Sequence, residues 1–486
     1  MGGRDRDTAV RLRAGADGWR GVIGASFTPR SAAMLAGSVL ASVQASTGRP
    51  PTVLVTHDGR RDGAAAAEAV VRAAMAAGAR QVRWCPHLPT PTATHAVRSG
   101  AVDLALLVTA SHNPPEWNGL KVKAPPGAPL PSAVEEHADA RYRGDSGPVD
   151  GVDLSPAPEP AADLATDILA EHLDHVCAAA SAGGSRLRVV VDGLGGIAGG
   201  PVAELCTRLG WDVHRVGCTP DPEFEGQRPD PALPTSRHRA ANEVRRTGAD
   251  LGLVLDGDGD RLFVLDATGE VVGPHELLAL LLDHRAHRGT GRGRGLAVTA
   301  STGVLARRTA EEHGLPVVER PIGFKHLAPL LVEERVDAAG GSVGDLAFAE
   351  HSVDRDPFAA VVLLADLLEQ TGGPMAGLVA DLRRRRGHYQ WFESRVARAA
   401  ADLPLREIGP RVLDTVGLAV TDVTAVDGPK FRLDNDQWLL LRPSSTESGV
   451  RVYGEVLAAA GAAELAARIV DTAHRQLDPN RRGRTA

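Results

Sequence analysis

The feature that most constrains the fold is the alternation of short apolar, β-branched runs with longer stretches of helical spacing. Three such pairs, strand before helix, are Thr52–Thr56 with Ala64–Ala77, Leu187–Val191 with Val202–Leu209, and Leu296–Thr299 with Gly303–Glu312. Short β-branched runs are typical of buried strands, whereas apolar residues three or four positions apart are typical of helices. Strands that alternate with helices in this way predict α/β layers in which the strands are largely parallel.

The length of the chain predicts several domains. Its 486 residues exceed what one hydrophobic core supports, and one domain per ~150 residues predicts three. Gly144–Pro160 is rich in Pro, Gly, Ser and Asp, as expected of a linker. Thr371–Pro374 reads Thr-Gly-Gly-Pro and indicates a second break between structural segments. The last hundred residues change to short strands and a closing helix, at Trp438–Leu441, Val450–Val456 and Ala459–Gln476. This part is predicted to be a smaller α+β domain.

Charge and cysteine content exclude several classes of function. The net charge of −7 argues against a protein built around nucleic-acid phosphates, and the basic run Arg383–Arg386 is interpreted as solvated surface. The four cysteines are widely spaced without a C-x-x-C pair, which disfavours a disulfide framework or a zinc site. The sequence shows no signal peptide and no apolar run near the ~20 residues of a membrane span. We expect a cytoplasmic protein without nucleic-acid or membrane partners.

The first segment with chemical potential surrounds Ser111. The predicted strand Leu104–Val108 runs into Thr109–Pro114, and Lys121 follows shortly afterwards. A serine hydroxyl needs activating neighbours to act as a nucleophile, and a lysine near a polar turn could help it accept and return a phosphoryl group. The alternative is an ordinary polar turn in which Asn-Pro ends the strand, and local chemistry alone favours that alternative.

The second segment is acidic and follows the predicted strand Leu251–Leu255. It reads Asp-Gly-Asp-Gly-Asp-Arg from Asp256 to Arg261. Alternate residues of an extended segment point the same way, so the carboxylates of Asp256, Asp258 and Asp260 are expected to converge on a divalent cation. An EF-hand loop is excluded by its spacing, and a solvated acidic turn remains the alternative. A site with few protein ligands and an adjacent arginine, Arg261, favours a Mg²⁺ ion that helps to hold a phosphate.

Two further patterns in the sequence are weaker. Arg442–Glu447, with Arg451 beyond it, combines a guanidinium with hydroxyl and backbone N–H groups that could cradle a phosphate. Alone it is weak, because such turns are common on protein surfaces. Gly193, Gly195 and Ala198 fit the G-x-G-x-x-A pattern of dinucleotide binding, but the acidic residue that should close the second strand, Asp212, opens it instead. The dinucleotide interpretation is therefore disfavoured.

Taken together and in this order, the segments resemble the α-D-phosphohexomutase superfamily, which includes phosphoglucomutases and phosphomannomutases. The matching motifs are Gly18–Gly21, Thr109–Pro114, Asp256–Arg261, Pro321–Lys325, Asp427–Gly428, Lys430–Phe431 and Arg442–Tyr453. The resemblance implies four domains around a central cleft, three related α/β units and a C-terminal α+β unit. We predict boundaries at 1–155 (serine loop), 156–272 (metal loop), 273–385 (sugar loop) and 386–486 (phosphate binding).

The resemblance also implies roles for individual residues. Ser111 would be the phosphoserine, with Mg²⁺ held between it and Asp256, Asp258 and Asp260. The remaining catalytic side chains would be Arg20, His112, Lys121 and Arg261. Substrate would contact Gly323, Lys325, Asp345 and His351, and the non-reacting phosphate would contact Arg442, Ser444, Ser445, Thr446 and Arg451. A sugar monophosphate would be converted through a sugar bisphosphate by a monomer or homodimer.

One departure concerns the sugar-binding loop, which the resemblance places at Gly341–Asp345. The chain reads Gly-Ser-Val-Gly-Asp there, without the paired Glu and Ser that would bind sugar hydroxyls. We therefore expect an active mutase that prefers an unusual sugar phosphate. Net phosphoryl transfer or hydrolysis is one alternative, and a non-catalytic sugar-phosphate-binding relative is another.

Overall fold

A computed structural model describes residues 11–15, 17–144, 159–180, 186–398, 403–443, 449–458 and 461–478. The predicted phosphate-binding residues Ser444, Ser445 and Thr446, and most of the predicted linker Gly144–Pro160, lie outside these ranges. The chain divides into two compact units. Unit 1 comprises Met1–Val271 and Asp345–Gly372, and unit 2 comprises Val272–Gly344 and Gly373–Ala486.

Unit 1 begins with a seven-stranded sheet. Its elements are β1 (Arg13–Ala14), β2 (Trp19–Val22), α1 (Pro29–Thr47), β3 (Thr52–His57), α2 (Gly63–Ala76), β4 (Gln81–Trp84), α3 (Thr90–Arg98), β5 (Leu104–Val108), β6 (Trp117–Ala124), β7 (Ala128–Pro129) and α4 (Ser132–Gly144). The strand order is β1-β2-β6-β5-β3-β4, and β7 pairs with β6. β3 is parallel to β4 and β5, whereas β6 is antiparallel to β5. Because β3 and β5 are parallel, the loops after them emerge at one edge.

A second α/β layer follows, and all of it except its last residue, Val272, lies in the same unit. Its elements are α5 (Ala162–Cys177), β8 (Arg188–Asp192), α6 (Gly199–Arg208), β9 (Asp212–Val216), α7 (Pro234–Thr247), β10 (Leu251–Leu255), β11 (Leu262–Leu265) and β12 (Val271–Val272). β8 is parallel to β9 and β10, and β10 turns back into the antiparallel β11. The turn between β10 and β11 carries the acidic segment.

The chain then enters unit 2 and returns once to unit 1. The first group is α8 (Pro274–His287), β13 (Leu296–Thr299), α9 (Val304–Glu312), β14 (Val317–Arg320), α10 (Ala328–Val332) and β15 (Ala338–Gly340), with β13 parallel to β14 and β15. The return to unit 1 consists of β16 (Leu346–Phe348) and α11 (Pro357–Thr371), which pack together. The second predicted break, Thr371–Pro374, begins at the last residue of α11 and ends immediately before the next helix.

The rest of unit 2 is an antiparallel sheet with helices. It contains α12 (Met375–Arg386), β17 (Tyr389–Val396), α13 (Leu405–Thr415), β18 (Val420–Thr424), β19 (Lys430–Leu433), β20 (Trp438–Pro443), β21 (Val450–Leu457) and α14 (Ala462–Leu477). The strand order is β17-β21-β20-β19-β18. Buried side chains of α13 and α14, such as Val412 and Ile469, share one core with Phe431 of the sheet. The predicted fold class, α/β layers with mixed sheets followed by an α+β C-terminal part, is confirmed.

Several element boundaries differ from the predictions by one to three residues, and two of these shifts have a clear local reason. The helix predicted from Val202 begins at Gly199, because its first turn consists of glycines and Pro201 and carries no apolar spacing signal. The helix predicted from Gly303 begins at Val304, with Gly303 in the extended conformation of an N-cap. Among the described residues, no helix combines the length and apolar character that a bilayer crossing requires.

Candidate active site

The loop after β5 holds Ser111 in an uncommon backbone conformation. Ser111 has a φ of 53°, in the left-handed region that non-glycine residues rarely adopt, and only 2% of its surface is exposed. Its N–H donates to the hydroxyl of Thr109 at 2.8 Å, and the Asn113 N–H donates to the Ala110 carbonyl at 3.0 Å. Such strain persists where the surroundings over-determine the conformation. The loop therefore presents the serine hydroxyl in one direction.

Arg60 organises this loop, although it belongs to none of the motifs recognised in the sequence. The Arg60 side chain is fully buried and donates to the carboxylate of Asp58 at 3.0 Å. Its other N–H groups donate to four backbone carbonyls at 2.6–2.9 Å, those of Ser111, Asn113, Pro114 and Trp117. Asp58 also accepts the hydroxyl of Thr109 at 2.7 Å. The available signal was the position of Asp58 and Arg60 directly after β3, the parallel neighbour of β5.

The acidic segment brings its three carboxylates together, but not as expected. Residues 256–260 form a turn between β10 and β11, with Gly259 at a φ of 74°, instead of an extended segment. The carboxylates of Asp256, Asp258 and Asp260 each offer an oxygen within 4.8 Å of the others. The turn achieves this because the N–H groups of Asp260 and Arg261 donate to one oxygen of Asp256, at 2.9 and 3.1 Å.

The geometry of this turn fits a divalent cation. The three carboxylates are at most 1% exposed, and burial, followed by Asp260 and Asp258, raises the pKa of Asp256 well above its usual value. One oxygen of Asp258 and one of Asp260 are buried without a hydrogen-bond partner among the described residues. Buried, unpaired carboxylate oxygens are costly unless a cation meets them, and oxygen donors suit Mg²⁺. The residues present therefore fit the predicted metal.

The serine loop and the acidic turn are in direct contact. The Ser111 hydroxyl donates to Oδ2 of Asp256 at 2.7 Å. A Cβ at Gly257 would lie 2.7 Å from the Ser111 carbonyl oxygen, closer than real Cβ atoms come, so this approach requires glycine. The structure thus brings the predicted nucleophile to the predicted metal site.

Lys121 and Arg20 lie beside the same carboxylates. The Lys121 ammonium is fully buried on β6, 2.7 Å from Asp258 and 2.5 Å from Asp260. Burial would lower its pKa, but Asp17, Asp258 and Asp260 outweigh burial and raise it, so the side chain is charged. Burial also lowers the pKa of Arg20, which Asp17, Asp258 and Asp260 counteract.

His112 and Arg261 flank the serine on another side. His112 Nδ1 lies 3.4 Å from the Ser111 hydroxyl oxygen, and its Nε2 lies 3.5 Å from Arg261. Burial, reinforced by Arg261 and Arg228, holds the pKa of His112 well below its usual value, so the imidazole is neutral. Burial would lower the pKa of Arg261, but four carboxylates outweigh burial and raise it, those of Asp230, Asp256, Asp260 and Asp345. Asp345, the last residue of the predicted sugar-binding loop Gly341–Asp345, thus contributes to the electrostatic environment of Arg261.

The glycine pattern at Gly193–Ala198 has a structural role at the acidic turn. The Ile197 N–H donates to the Gly257 carbonyl at 3.1 Å, and a Cβ at Gly196 would lie 2.7 Å from that same oxygen. Gly196, which lies inside the pattern although the pattern does not specify it, therefore allows two loops to pack closely. This structural role accounts for the glycine-rich segment without a bound dinucleotide.

Comparison with known proteins agrees with these motifs. Models of phosphoglucomutase/phosphomannomutase α/β/α domains I, II and III match residues 11–146, 170–269 and 273–385. The chain belongs to the phosphoglucomutase/phosphomannomutase family. The predicted resemblance is confirmed, and the protein is an isomerase of the phosphomutase type.

Individual relatives span almost the whole chain. The phosphoglucosamine mutase of Heliobacterium modesticaldum is 27% identical, over 91% of this chain and 94% of its own. The phosphoglucosamine mutase of Saccharopolyspora erythraea is 29% identical, over 94% and 98% respectively. A phosphoglucomutase/phosphomannomutase family protein from Burkholderia thailandensis has a similar fold, with a TM-score of 0.77 at 23% identity, over 96% of this chain and 98% of its own.

The predicted sugar-binding loop, Gly341–Asp345, is divided between the two units, because unit 2 includes Gly344 and unit 1 resumes at Asp345. Ser342, in unit 2, is buried, and its hydroxyl lies 2.8 Å from that of Ser301, so it is used within the fold. Asp345 and His351, in unit 1, are 6% and 4% exposed. The carbonyl of His351 lies 3.4 Å from Nε2 of His175.

In unit 2, the predicted phosphate-binding residue Arg442 lies near the predicted substrate-binding residues Gly323 and Lys325. Asp427 accepts the Ile322 N–H at 2.9 Å and pairs with Arg442 at 2.6 Å. Burial, then Lys325 and Arg442, lower the pKa of His326, which places two cations near this imidazole. Gly323 precedes them with a φ of 126°.

Arg451 stands opposite Arg442 on the neighbouring strand of the C-terminal sheet. The two arginines are Cα partners on β21 and β20, and Arg451 pairs with Glu393 at 2.6 Å. Lys325, Arg442 and Arg451 thus all belong to unit 2.

A second possible metal group in unit 2 has another explanation. Asp283, His287 and His313 offer atoms within 4.8 Å of one another. Asp283, however, already accepts Arg386 at 2.8 Å, and Arg385 lies 3.2 Å from its other oxygen. Two guanidinium groups neutralise this carboxylate, so we interpret the group as an ion-pair network.

Proposed function

We propose that the protein is a phosphosugar mutase that moves a phosphoryl group between the C1 and C6, or equivalent, hydroxyls of a sugar phosphate through phospho-Ser111. The observation that carries the proposal is the 2.7 Å hydrogen bond from the Ser111 hydroxyl to Asp256 in the acidic turn. Phosphoryl transfer depends mainly on positioning and on neutralising the oxygens of the transferred group. A strained serine beside a cation site and buried basic side chains supplies both.

The residues of unit 1 divide the work of each transfer. As the Ser111 oxygen bonds to phosphorus, the phosphorus–oxygen bond to the sugar breaks, and the serine proton has Asp256 as its nearest acceptor. A divalent cation held by Asp256, Asp258 and Asp260 would neutralise charge on the phosphoryl oxygens. Arg20, Lys121 and Arg261 would stabilise the same charge. The charged Lys121 would donate a proton to the sugar oxygen that leaves, and it would recover that proton when the sugar hydroxyl is phosphorylated again.

The reverse transfer begins from phospho-Ser111. A free hydroxyl of the sugar monophosphate takes the phosphoryl group, which gives a sugar bisphosphate. That bisphosphate must turn end for end before its original phosphate returns to Ser111. The phosphate that is not reacting would be held by Lys325, Arg442, Ser444, Ser445, Thr446 and Arg451. A catalytic amount of bisphosphate would therefore activate the enzyme.

The substrate is proposed to be a hexose or hexosamine phosphate with an unusual hydroxyl pattern. The names of the Heliobacterium and Saccharopolyspora relatives support an amino-sugar phosphate as the first candidate. The commitment of Ser342 to Ser301, and the missing Glu pair, support weak binding of ordinary sugar hydroxyls. Two lost hydrogen bonds to charged groups would lower kcat/KM for glucose 1-phosphate by about 10²–10⁴-fold.

The test is a turnover screen with added bisphosphate and Mg²⁺. It covers glucose, mannose and glucosamine phosphates together with deoxy, pentose and modified analogues. Peptide mass spectrometry should locate one substoichiometric phosphate on Ser111, and the Ser111→Ala variant should lose both phosphate and turnover. Release of inorganic phosphate instead of isomer would indicate hydrolysis. Binding without turnover and without phospho-Ser111 would contradict the mutase proposal.

A further inference from the structure

Asp17 lies among three buried cations, the predicted catalytic residue Lys121 and two others, Lys123 and Arg355. β6 presents Lys121 and Lys123 two positions apart, on one face of the strand, and both side chains are fully buried. Arg355, in the returning segment of unit 1, has a side chain that is 6% exposed. Three buried cations this close repel one another unless carboxylates separate them.

Asp17 contacts all three cations. One of its oxygens lies 2.9 Å from the Lys121 ammonium and also pairs with the Arg355 guanidinium. Its other oxygen lies 3.4 Å from the Lys123 ammonium. The approach depends on Gly18, whose φ is 80° and whose hypothetical Cβ would lie 2.3 Å from the Leu120 carbonyl oxygen. A glycine at this turn therefore lets β2 bring Asp17 onto β6.

The same cations lead to the acidic turn and to the sugar-loop segment. Arg355 reaches Asp260 at 3.1 Å, and Lys121 reaches Asp260 at 2.5 Å. Lys123 pairs with Asp354 at 2.5 Å, next to Arg355 in the chain. Asp17 thus joins β6, the acidic turn and the segment that begins at Asp345, all within unit 1.

We infer that Asp17 is a positioning residue that fixes Lys121 and Arg355 relative to Ser111 and the acidic turn. Asp17 is a carboxylate outside the acidic turn that contacts both side chains, so it would still hold them if Asp258 and Asp260 shared their charge with a cation. The inference rests on the proposed function for its effect on catalysis. Its structural part, the tethering of the segment 345–358 to β6, does not.

The experiment compares Asp17→Asn, Arg355→Gln and the double variant with wild type. A misplaced catalytic group costs on the order of 10²-fold. We therefore expect kcat to fall about 10²-fold in Asp17→Asn, with a much smaller change in KM. Because both residues act through one contact, the double variant should lose less than the product of the single losses. Independent, multiplicative losses, or a wild-type kcat in Asp17→Asn, would overturn the inference.

The matched control is Asp103→Asn. Asp103 also pairs with two cations, Arg49 at 2.6 Å and Arg80 at 3.1 Å, but it precedes β5, at the opposite end of the strand from Ser111. Its kcat should equal that of wild type. Should Asp17→Asn fail to fold, Asp17→Glu, which keeps the charge but moves it, replaces it in the same cycle with the same expected coupling.

Hydrogen exchange separates this inference from the proposed function. Amides of residues 345–358 should exchange faster in Asp17→Asn than in wild type, whereas Asp103→Asn should leave them unchanged. Unchanged exchange in Asp17→Asn would contradict the inference even if the mutase is active. A wild-type protein that turns over no sugar phosphate would contradict the proposed function, while faster exchange would still support the role of Asp17 as a tether.

Discussion

Individual charges around Ser111 are stabilised by partners that lie far away in the sequence. Lys121 remains charged despite complete burial because the carboxylates of Asp17, Asp258 and Asp260 surround its ammonium group. Arg60 is buried to the same extent and satisfies its donors on Asp58 and on backbone carbonyls. A buried charge is tolerated only when it is paired and hydrogen-bonded. The same requirement makes the acidic turn sensitive to the loss of one carboxylate.

At this scale we predict that Asp258→Asn lowers the affinity for Mg²⁺ at least tenfold. Mutation of a residue that only hydrogen-bonds to a metal ligand typically lowers the metal affinity by about 10–100-fold. Asp258 is proposed to be a ligand itself, so its loss should cost at least as much. Isothermal titration calorimetry with Mg²⁺ or Mn²⁺ measures the effect. Asp250→Asn is the control, because this exposed residue lies at the other end of the same strand and accepts the Arg188 N–H at 2.8 Å. Equal metal affinity in Asp258→Asn and wild type would exclude Asp258 as a ligand.

Among the elements, the decisive feature is that loops from two different sheets meet. The serine loop follows β5 of the first sheet, and the acidic turn follows β10 of the second. Gly257 allows them to approach until its hypothetical Cβ would lie 2.7 Å from the Ser111 carbonyl oxygen. Backbone cannot move aside as a flexible side chain can, so an added methyl group must separate the loops.

We therefore predict that Gly257→Ala lowers kcat by about 10²-fold, the typical effect of displacing a catalytic group by ~1 Å. Steady-state kinetics on the substrate found in the screen measures this loss. Gly37→Ala is the matched control, since Gly37 lies in α1 and its hypothetical Cβ meets no atom within 4 Å. Replacing a helical glycine by alanine should raise the free energy of unfolding by about 0.5–1 kcal/mol and leave kcat unchanged. Normal kcat in Gly257→Ala would contradict the close approach.

For the whole molecule, stability should depend on pH through a buried carboxyl group in unit 2. Glu455 on β21 accepts the Val304 N–H at 2.7 Å and the Trp438 side-chain N–H at 3.0 Å. Burial outweighs these hydrogen bonds and raises the pKa of Glu455 from 4.5 to about 7. The native state therefore keeps a proton between these two values that the unfolded chain releases. The contribution of Glu455 to the free energy of unfolding is fully present below pH 4.5 and is lost as the pH rises through about 7.

We predict that Glu455→Gln is more favourable relative to wild type at pH 8 than at pH 5, by about 2–3 kcal/mol in the free energy of unfolding. The neutral amide avoids the cost of ionising a buried group. Urea denaturation at both pH values measures this change. Glu464→Gln, at an exposed position in the first turn of α14, should show the same difference from wild type at both values. A pH-independent effect of Glu455→Gln would mean that Glu455 does not titrate in this range.

Local patterns in the sequence determined the regular elements and the order of the motifs. The strands Leu104–Val108, Leu251–Leu255 and Leu296–Thr299 were predicted to the residue, because short buried apolar runs are bounded by polar or glycine-containing turns. The ordered motifs identified the family, which the domain models confirm. The four domain boundaries and the roles assigned to single residues stay predictions.

Tertiary structure alone decided which side chains surround Ser111. Asp17 and Arg355 form an ion pair across 338 positions of the chain, and Ser111 meets Asp256 across 145. Arg60 and Asp17 carry no periodic or compositional signal, and the carboxylates converge through a turn that extended spacing did not predict. The physical reason is that a charge pairs with whatever the packing of sheets and loops brings within about 3 Å, and that packing depends on residues far apart in the chain.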